Sequence, residues 1–387
     1  MKRENRGQYA STTVAGETVN AFVPAALPPT PPVNLDGVLR DEIERAVLAL
    51  GRLDGASALI PNAHLFLYAY VRKEAVLSSQ IEGTQSTLSD LLLFELDEAP
   101  GAPIDDVVEV SNYVAALEHG LARIRSGMPL SNRLIREVHG ILLSRGRGEN
   151  KAPGEFRRSQ NWIGGVRPAL ARFVPPPPHE VGACMGELER FLNDRPARTS
   201  TLLKAALAHV QFETIHPFLD GNGRVGRLLI PFLFCIENVL GQPLLYLSLY
   251  LKQHRQEYYE WLDRVRREGD WEGWIGFFAR GVTETAEGAV ATAHRLLEIQ
   301  RADHDRIQRF GRVAGSAMSV HQEFLRRPVN SVAGLAAATT LSIPAVTNAL
   351  EALTRHEIVH EITGRKRGRV FSYAAYLDVL QKGTEPL

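Results

Sequence analysis

Apolar positions along this chain recur three and four residues apart over most of its length, which predicts a mainly helical protein. Val38, Ile43, Val47 and Leu50 mark one apolar face, and Leu65, Leu67 and Val71 open a second helix that Gly83 is placed to stop. A third helix is expected over Ile104 to Arg125. Ser131 then caps a helix running to Ser144, with Leu134, Ile135, Val138, Ile141 and Leu142 as its buried stripe. Further helices are expected at His179 to Asn193, Thr199 to Thr214, about Arg224 to Leu240, Lys252 to Glu268 and Trp271 to Arg301.

Three stretches break this pattern. Residues 1–34 lack helical periodicity and end in the Pro-rich run Phe22 to Val33, which reads as an extended arm. Residues 145–180 are dominated by Gly, Arg and Pro. Trp162-Ile163, Gly164-Gly165 and Arg172-Phe173-Val174 within them read as a β-hairpin or flap between helices. After residue 302, Leu335 to Leu353 holds two short helices around a turn near Leu341-Ser342. Ile358-Val359 and Val370 to Tyr373 then flank the basic run Gly364 to Arg369, the order of a winged helix-turn-helix. The expected organisation is an arm at 1–34, a helical region at 35–110, a helical core with a flap at 111–302, and a winged helix at 303–387.

Composition narrows the classes. Basic and acidic residues balance at 44 each, which argues against a chain-wide nucleic-acid or membrane surface without excluding a local one. Two isolated cysteines, Cys184 and Cys235, fit a reducing compartment rather than a disulfide framework. The N-terminus lacks the apolar core of a signal peptide, and no long apolar run predicts a membrane span. A cytoplasmic protein with no membrane partner is expected.

The candidate chemistry lies in one unbroken run, His216-Pro217-Phe218-Leu219-Asp220-Gly221-Asn222-Gly223-Arg224-Val225-Gly226-Arg227. A histidine in a loop before a helix offers a general base near neutral pH. Asp220 is the hard oxygen ligand that Mg²⁺ prefers. Gly221-Asn222-Gly223 lets backbone approach a phosphate closely, and the Asn222 amide adds a donor. The helix N-terminus that follows favours an anion. Arg224 and Arg227, three apart, lie in the first turns of that helix, within reach of a polyphosphate. The layout implies an enzyme acting on a nucleotide.

This run resembles the Fic family signature, His-Pro-Phe-x-Asp-Gly-Asn-Gly-Arg-x-x-Arg, at every specified position. The resemblance extends over roughly residues 35–300, including the 134–142 helix with His139-Gly140, the flap from Trp162 to Pro175, and Tyr258-Tyr259 followed by Gly269-Asp270-Trp271. It implies a mainly helical fold and transfer of AMP from Mg²⁺-ATP to a Ser, Thr or Tyr hydroxyl of a target protein or of the chain itself. On that resemblance His216 is the base and Asp220 the Mg²⁺ ligand. Gly221, Asn222, Gly223, Arg224, Val225, Gly226 and Arg227 hold the phosphates, with Arg227 at the γ-phosphate. Trp162, Ile163, Gly164 and Gly165 hold the target segment beside the nucleotide, and Tyr258 and Tyr259 line the adenine end. Gly223 and Arg227 are both present, which favours AMP transfer over the phosphorylation of a Lys-bearing branch. Homodimers are implied as well.

A second segment, Ser78-Ser79-Gln80-Ile81-Glu82-Gly83, resembles the family's inhibitory motif. Ser78 and Glu82, four apart, share a helix face. The resemblance implies that Glu82 pairs with Arg227 and misaligns the ATP α-phosphate. Two alternatives stand beside this enzyme. One is a DNA-binding regulator whose Fic domain senses ATP or modifies itself, using Thr347, Asn348 and Arg365 to Arg369 on DNA. The other is a Fic enzyme that moves another nucleotide, such as UMP.

Overall fold

A computed structural model describes residues 3–4, 6–14, 16–59, 63–96 and 101–386, the side chains at 58–59 and 63–66 excepted. Leu65 therefore lies outside the described side chains. The strands are β1 (Gly7–Val14), β2 (Glu17–Pro24), β3 (Val329–Ser331), β4 (His360–Glu361) and β5 (Val370–Ser372). The helices are α1 (Val38–Leu59), α2 (Ala63–Ile81), α3 (Leu88–Phe94), α4 (Ile104–Arg125), α5 (Asn132–Leu142), α6 (Pro178–Leu192), α7 (Thr201–Ile215), α8 (Asn222–Ile236), α9 (Ser248–Gln253), α10 (Arg255–Glu268), α11 (Trp271–Ile307), α12 (Ala314–Arg326), α13 (Val332–Thr339), α14 (Ile343–Arg355) and α15 (Ala374–Gln381). Among the described residues, no single helix is long and apolar enough to cross a membrane.

The chain folds as two compact units, Met1–Asp54 with Ser111–Ala286, and Gly55–Val110 with Glu287–Leu387. This division differs from the sequence expectation. Residues 55–110 fold with the C-terminal segment, because α2 packs on α3, α12 and α15. Lys73 of α2 donates to the Lys382 carbonyl at 2.8 Å, and the Gln80 amide donates to the carbonyls of Ser86 and Thr384. The expected boundary at 302/303 falls inside α11, which runs unbroken to Ile307.

In the first unit, α7 and α8 form the centre. Both bury residues on nearly every side, as core helices do. α6 and α10 pack on α7, and α5 packs on α6 and α8. Ser131 caps α5 by accepting the Leu134 N–H, and Leu134, Ile135, Val138 and Leu142 are buried as expected. The apolar face expected on α1 holds in part: Leu50 is buried and Ile43 half-buried, but the buried face is turned away from Val38 and Val47. Val38 is 71 % exposed and Val47 53 %, whereas Ala46, Ala49, Leu50 and Leu53 are buried. Small Ala side chains, weak in a hydropathy pattern, carry the contact.

The N-terminal segment is not a bare arm. β1 and β2 form an antiparallel hairpin from Gly7↔Pro24 to Val14↔Glu17. Val14, Val19 and Ala21 pack with Val174, and the Phe22 N–H donates to the Val174 carbonyl at 2.9 Å. Arg3 anchors the start of the chain. Its guanidinium reaches both Glu272 oxygens at 2.8 and 2.6 Å and the carbonyls of Pro31, Pro32 and Gly269. Burial pushes the Glu272 carboxyl up, but Arg3 and the Asn34 N–H outweigh it and hold the pKa at about 2. That stabilisation is complete above the unfolded value, about 4.3, and is lost as pH falls toward 2. Arg3→Ala strands a largely buried carboxylate, and we expect a loss of about 3 kcal/mol at pH 7. Denaturant unfolding checks it; a midpoint equal to wild type contradicts it.

Candidate active site

The segment from His216 to Gly221 links α7 to α8, and its shape is set by side chains that bond its backbone. His216 ends α7 in the left-handed region (φ 49°), its N–H donating to the Phe212 carbonyl at 2.9 Å. Such a conformation costs a non-glycine residue on the order of 1 kcal/mol and persists only where its surroundings enforce it. The enforcing group is Arg157. Its buried guanidinium donates to the carbonyls of His216 (2.9 Å), Ile215, Ser159 and Pro176, while its own N–H donates to the Pro217 carbonyl. Burial lowers the Arg157 pKa to about 10, which leaves it charged near neutral pH.

Phe218 plugs the loop into the core. It is fully buried, stacks on His139 at 3.6 Å between centroids and touches Phe156 and Phe212. The Asn222 side chain clasps the same residue, its amide donating to the Phe218 carbonyl and its oxygen accepting the Phe218 N–H, both at 2.9 Å. The Asn161 amide adds a donor to the Phe218 carbonyl at 3.2 Å, tying the flap base to the loop.

His139 fixes the far end. Its Nδ1 accepts the Gly154 N–H at 2.8 Å, so the ring proton sits on Nε2 and is donated to the Asp220 carbonyl at 3.0 Å. Burial, joined by the nearby Arg224 charge, pushes the His139 pKa down to about 4 and keeps the ring neutral. Gly221 follows in the left-handed region (φ 75°), where an added Cβ would lie 3.4 Å from Leu142. α8 then begins, and its first N–H groups point out of the helix N-terminus, a ready anion site.

The Asp220 carboxylate stands at that N-terminus. Oδ1 accepts the Gly221 N–H at 2.6 Å and faces Arg224 at 3.4 Å. Oδ2 lies beside the Cβ-free face of Gly148, where an added Cβ would come within 3.1 Å. The side chain is 36 % exposed. A hard oxygen with an open side fits Mg²⁺, which takes one or two carboxylates and fills its other positions with phosphate and water.

Two Fic/DOC models match this chain, the family N-terminal model over residues 40–122 and the family model over residues 129–234. Residues 40–122 and 129–234 thus match the Fic/DOC family. Among its relatives are proteins named protein adenylyltransferase Fic. That of Drosophila ananassae is 32 % identical over 210 residues, 54 % of this chain and 39 % of that protein. That of Drosophila grimshawi is 30 % identical over 252 residues, 63 % of this chain and 49 % of that protein. The chain thus spans less than half the length of the curated relatives it matches. The fold is similar to that of a Fic family protein from Desulfovibrio desulfuricans, with TM-score 0.57 and 20 % identity over 86 % of this chain and 95 % of that one. It is also similar to that of a Fic domain containing signaling protein from Bacteroides thetaiotaomicron, with TM-score 0.51 and 21 % identity over 65 % of this chain and 97 % of that one.

The Fic motif residues His216, Asp220, Gly221, Gly223, Arg224 and Arg227 thus share one loop and helix start, and Arg224 and Arg227 are buried there. Four expected ligands have other work. The Asn222 amide bonds the Phe218 backbone with its oxygen and one of its two N–H donors. The Val225 side chain is buried and its N–H closes the first helical bond to Gly221. Gly226 is a packing position, where a Cβ would strike Glu213 at 2.4 Å. Tyr258 is 1 % exposed and bonds His209 at 2.9 Å; Tyr259 is half-buried beside it. The flap is thinner than a full hairpin. Ile163 and Phe173 form one antiparallel bridge at 2.8 and 3.1 Å, with Trp162, Gly164 and Gly165 exposed. The β1–β2 hairpin braces it through Val174 and through Glu17, which accepts from Arg167 and the Ala169 N–H.

Ser78 and Glu82 belong to the other unit. Ser78 is buried in α2, and Glu82 is the exposed residue that follows its last residue, Ile81. The Gly83 and Thr84 N–H groups donate to the carbonyls of Gln80 and Ser79, a Schellman closure with Gly83 at φ 103°. Arg157 and Asn161 were missed, because nothing in their Gly- and Pro-rich surroundings marks them. His139 came only with the resemblance.

His209 is a second buried histidine in this unit. It donates from Nδ1 to the Gly226 carbonyl and is held neutral at about 4, by burial first and by the Arg227 and Arg266 charges next. Both rings bind a proton less readily folded than unfolded, so their contribution is complete above about pH 6.5 and declines as pH falls toward 4. We expect a melting temperature lower at pH 5 than at pH 7, with a smaller difference in His139→Gln, which keeps a donor and an acceptor but does not titrate. Thermal scans at the two pH values decide; an unchanged difference in the variant removes His139 from the account.

Proposed function

We propose that this chain is a protein adenylyltransferase that moves AMP from ATP to a Ser, Thr or Tyr hydroxyl of a target protein and releases pyrophosphate. What supports this reading is the loop, held by Arg157, Asn222 and His139, that carries His216 and Asp220 into the N-terminus of α8. His216 takes the proton of the attacking hydroxyl. The hydroxyl oxygen bonds the α-phosphorus as the bond to the bridging β-phosphate oxygen breaks, and the electron pair leaves with pyrophosphate. The N–H groups at the start of α8 and the buried Arg224 and Arg227 stabilise the charge gathering on the phosphate oxygens, and because they are already fixed they need no reorganisation. Asp220 holds the magnesium, which when bound neutralises phosphate charge. Trp162 to Gly165 on the flap present main chain to the target segment, and Tyr259 serves the adenine end beside Tyr258.

Glu82 is the brake in this proposal, competing with the γ-phosphate for Arg227. What supports it is the motif Ser78 to Gly83 and an electrostatic oddity. Glu82 sits at the C-terminal end of α2, where the helix dipole disfavours a carboxylate by about 0.3–1 kcal/mol, so local folding does not call for it.

The test is incorporation of α-phosphate-labelled ATP into protein by wild type, Glu82→Gly and Glu82→Gly with His216→Ala. We expect label to rise on the order of 100-fold in Glu82→Gly, the scale for restoring a misaligned reacting atom, and to vanish in the double variant. Label that survives without His216 contradicts the base. Equal label in wild type and Glu82→Gly contradicts the brake alone.

A further inference from the structure

We infer that the C-terminal module binds double-stranded DNA, α14 entering the major groove and the β4–β5 loop reaching the phosphates. This goes beyond nucleotide transfer and uses none of its residues.

The module is α12, β3, α13, α14, then the β4–β5 hairpin, with β5 between β3 and β4 in one antiparallel sheet. α13 and α14 meet at 113° across a three-residue turn, with Thr340 in the left-handed region (φ 58°) and Ser342 accepting the Ala345 N–H at the start of α14. That angle and turn are those of a helix-turn-helix, whose second helix is the one that enters a groove. Val346, Ala349, Leu350 and Leu353 bury one face of α14 against α12 and α13. The opposite face presents Ile343 (60 % exposed), Pro344, Asn348 and Glu351 to solvent. These suit base edges: an apolar side chain for a thymine methyl, an amide for adenine, a carboxylate for the cytosine amino group.

The loop after β4 adds the charge. Arg365, Lys366 and Arg367 are exposed, and Arg369 follows half-buried over Phe371. The loop's base is shaped. The Glu361 carboxylate accepts the Thr363 and Gly364 N–H groups at 2.9 Å, and Thr363 Oγ1 accepts the Val370 N–H at 3.3 Å. Four cations thus stand within five residues, a density of positive charge that suits a polyanion. Duplex DNA, with one charge per about 1.7 Å, matches such a cluster beside a groove-sized helix. Duplex RNA does not, because its major groove is too narrow for a helix.

The experiment is fluorescence anisotropy of a labelled mixed-sequence DNA duplex of roughly 30 base pairs, enough for two half-sites one turn apart, titrated with the full chain across a salt series. We expect log affinity to fall linearly with log salt. Replacing Arg365, Lys366 and Arg367 together by Ala should weaken binding about tenfold at low salt and reduce the slope by about 3. Asn348→Glu should weaken binding while the loop is intact. Circular dichroism establishes that both variants are folded. Absent binding at about 50 mM salt, undiminished binding by the folded triple variant, or equally tight binding of an RNA duplex of the same sequence overturns the inference.

Discussion

Everything in the candidate site hangs on the neutral ring of His139. It accepts one backbone N–H, donates to one backbone carbonyl and stacks on Phe218, so a single side chain locks two loops and a core aromatic together. A protonated ring could not accept from Gly154, and this is why burial that keeps it neutral is part of the geometry. Arg157 does the same for the other end of the loop through four carbonyls. Between these two clamps the chain is left only one path from α7 into α8. That path carries His216 and Asp220, in that order, into the N-terminus of α8.

Much of this was legible in the sequence, and the exceptions have physical causes. α4 runs from Ile104 to Arg125 as its periodicity indicates, and the Ser131 cap of α5 is where the pattern placed it. Short-range rules suffice there, because capping and amphipathicity involve residues three or four apart. The β1–β2 hairpin escaped because its reasons are distant. Val174 and Gln211 hold β2 and the segment after it, and Arg3 meets Glu272 across 269 positions. The same distance hides His139, which is 81 residues from the carbonyl it holds. A motif names the positions that matter but not which atoms the fold has already used. Asn222 and Tyr258 look like ligands in a string of letters, and only the coordinates reveal that the amide is bonded to Phe218 and the phenol to His209.

The arrangement of the chain separates two kinds of chemistry. The unit built around α7 and α8 holds the catalytic candidates. The unit built on α2 and the C-terminal segment holds both the motif ending at Glu82 and the basic loop between β4 and β5. α2 is buried along its second half, with Lys73 and Gln80 bonded to the last helix and the tail beyond it. The C-terminal segment therefore packs on the helix that carries Ser78 and ends at Ile81, one residue before Glu82.

The most direct test of the central claim is intact-protein mass spectrometry of Glu82→Gly incubated with ATP and magnesium. The account predicts a mass increment of one adenylyl group, lost when His216 is also replaced. An increment of one phosphoryl group, or none while ATP binding is measurable, would contradict it.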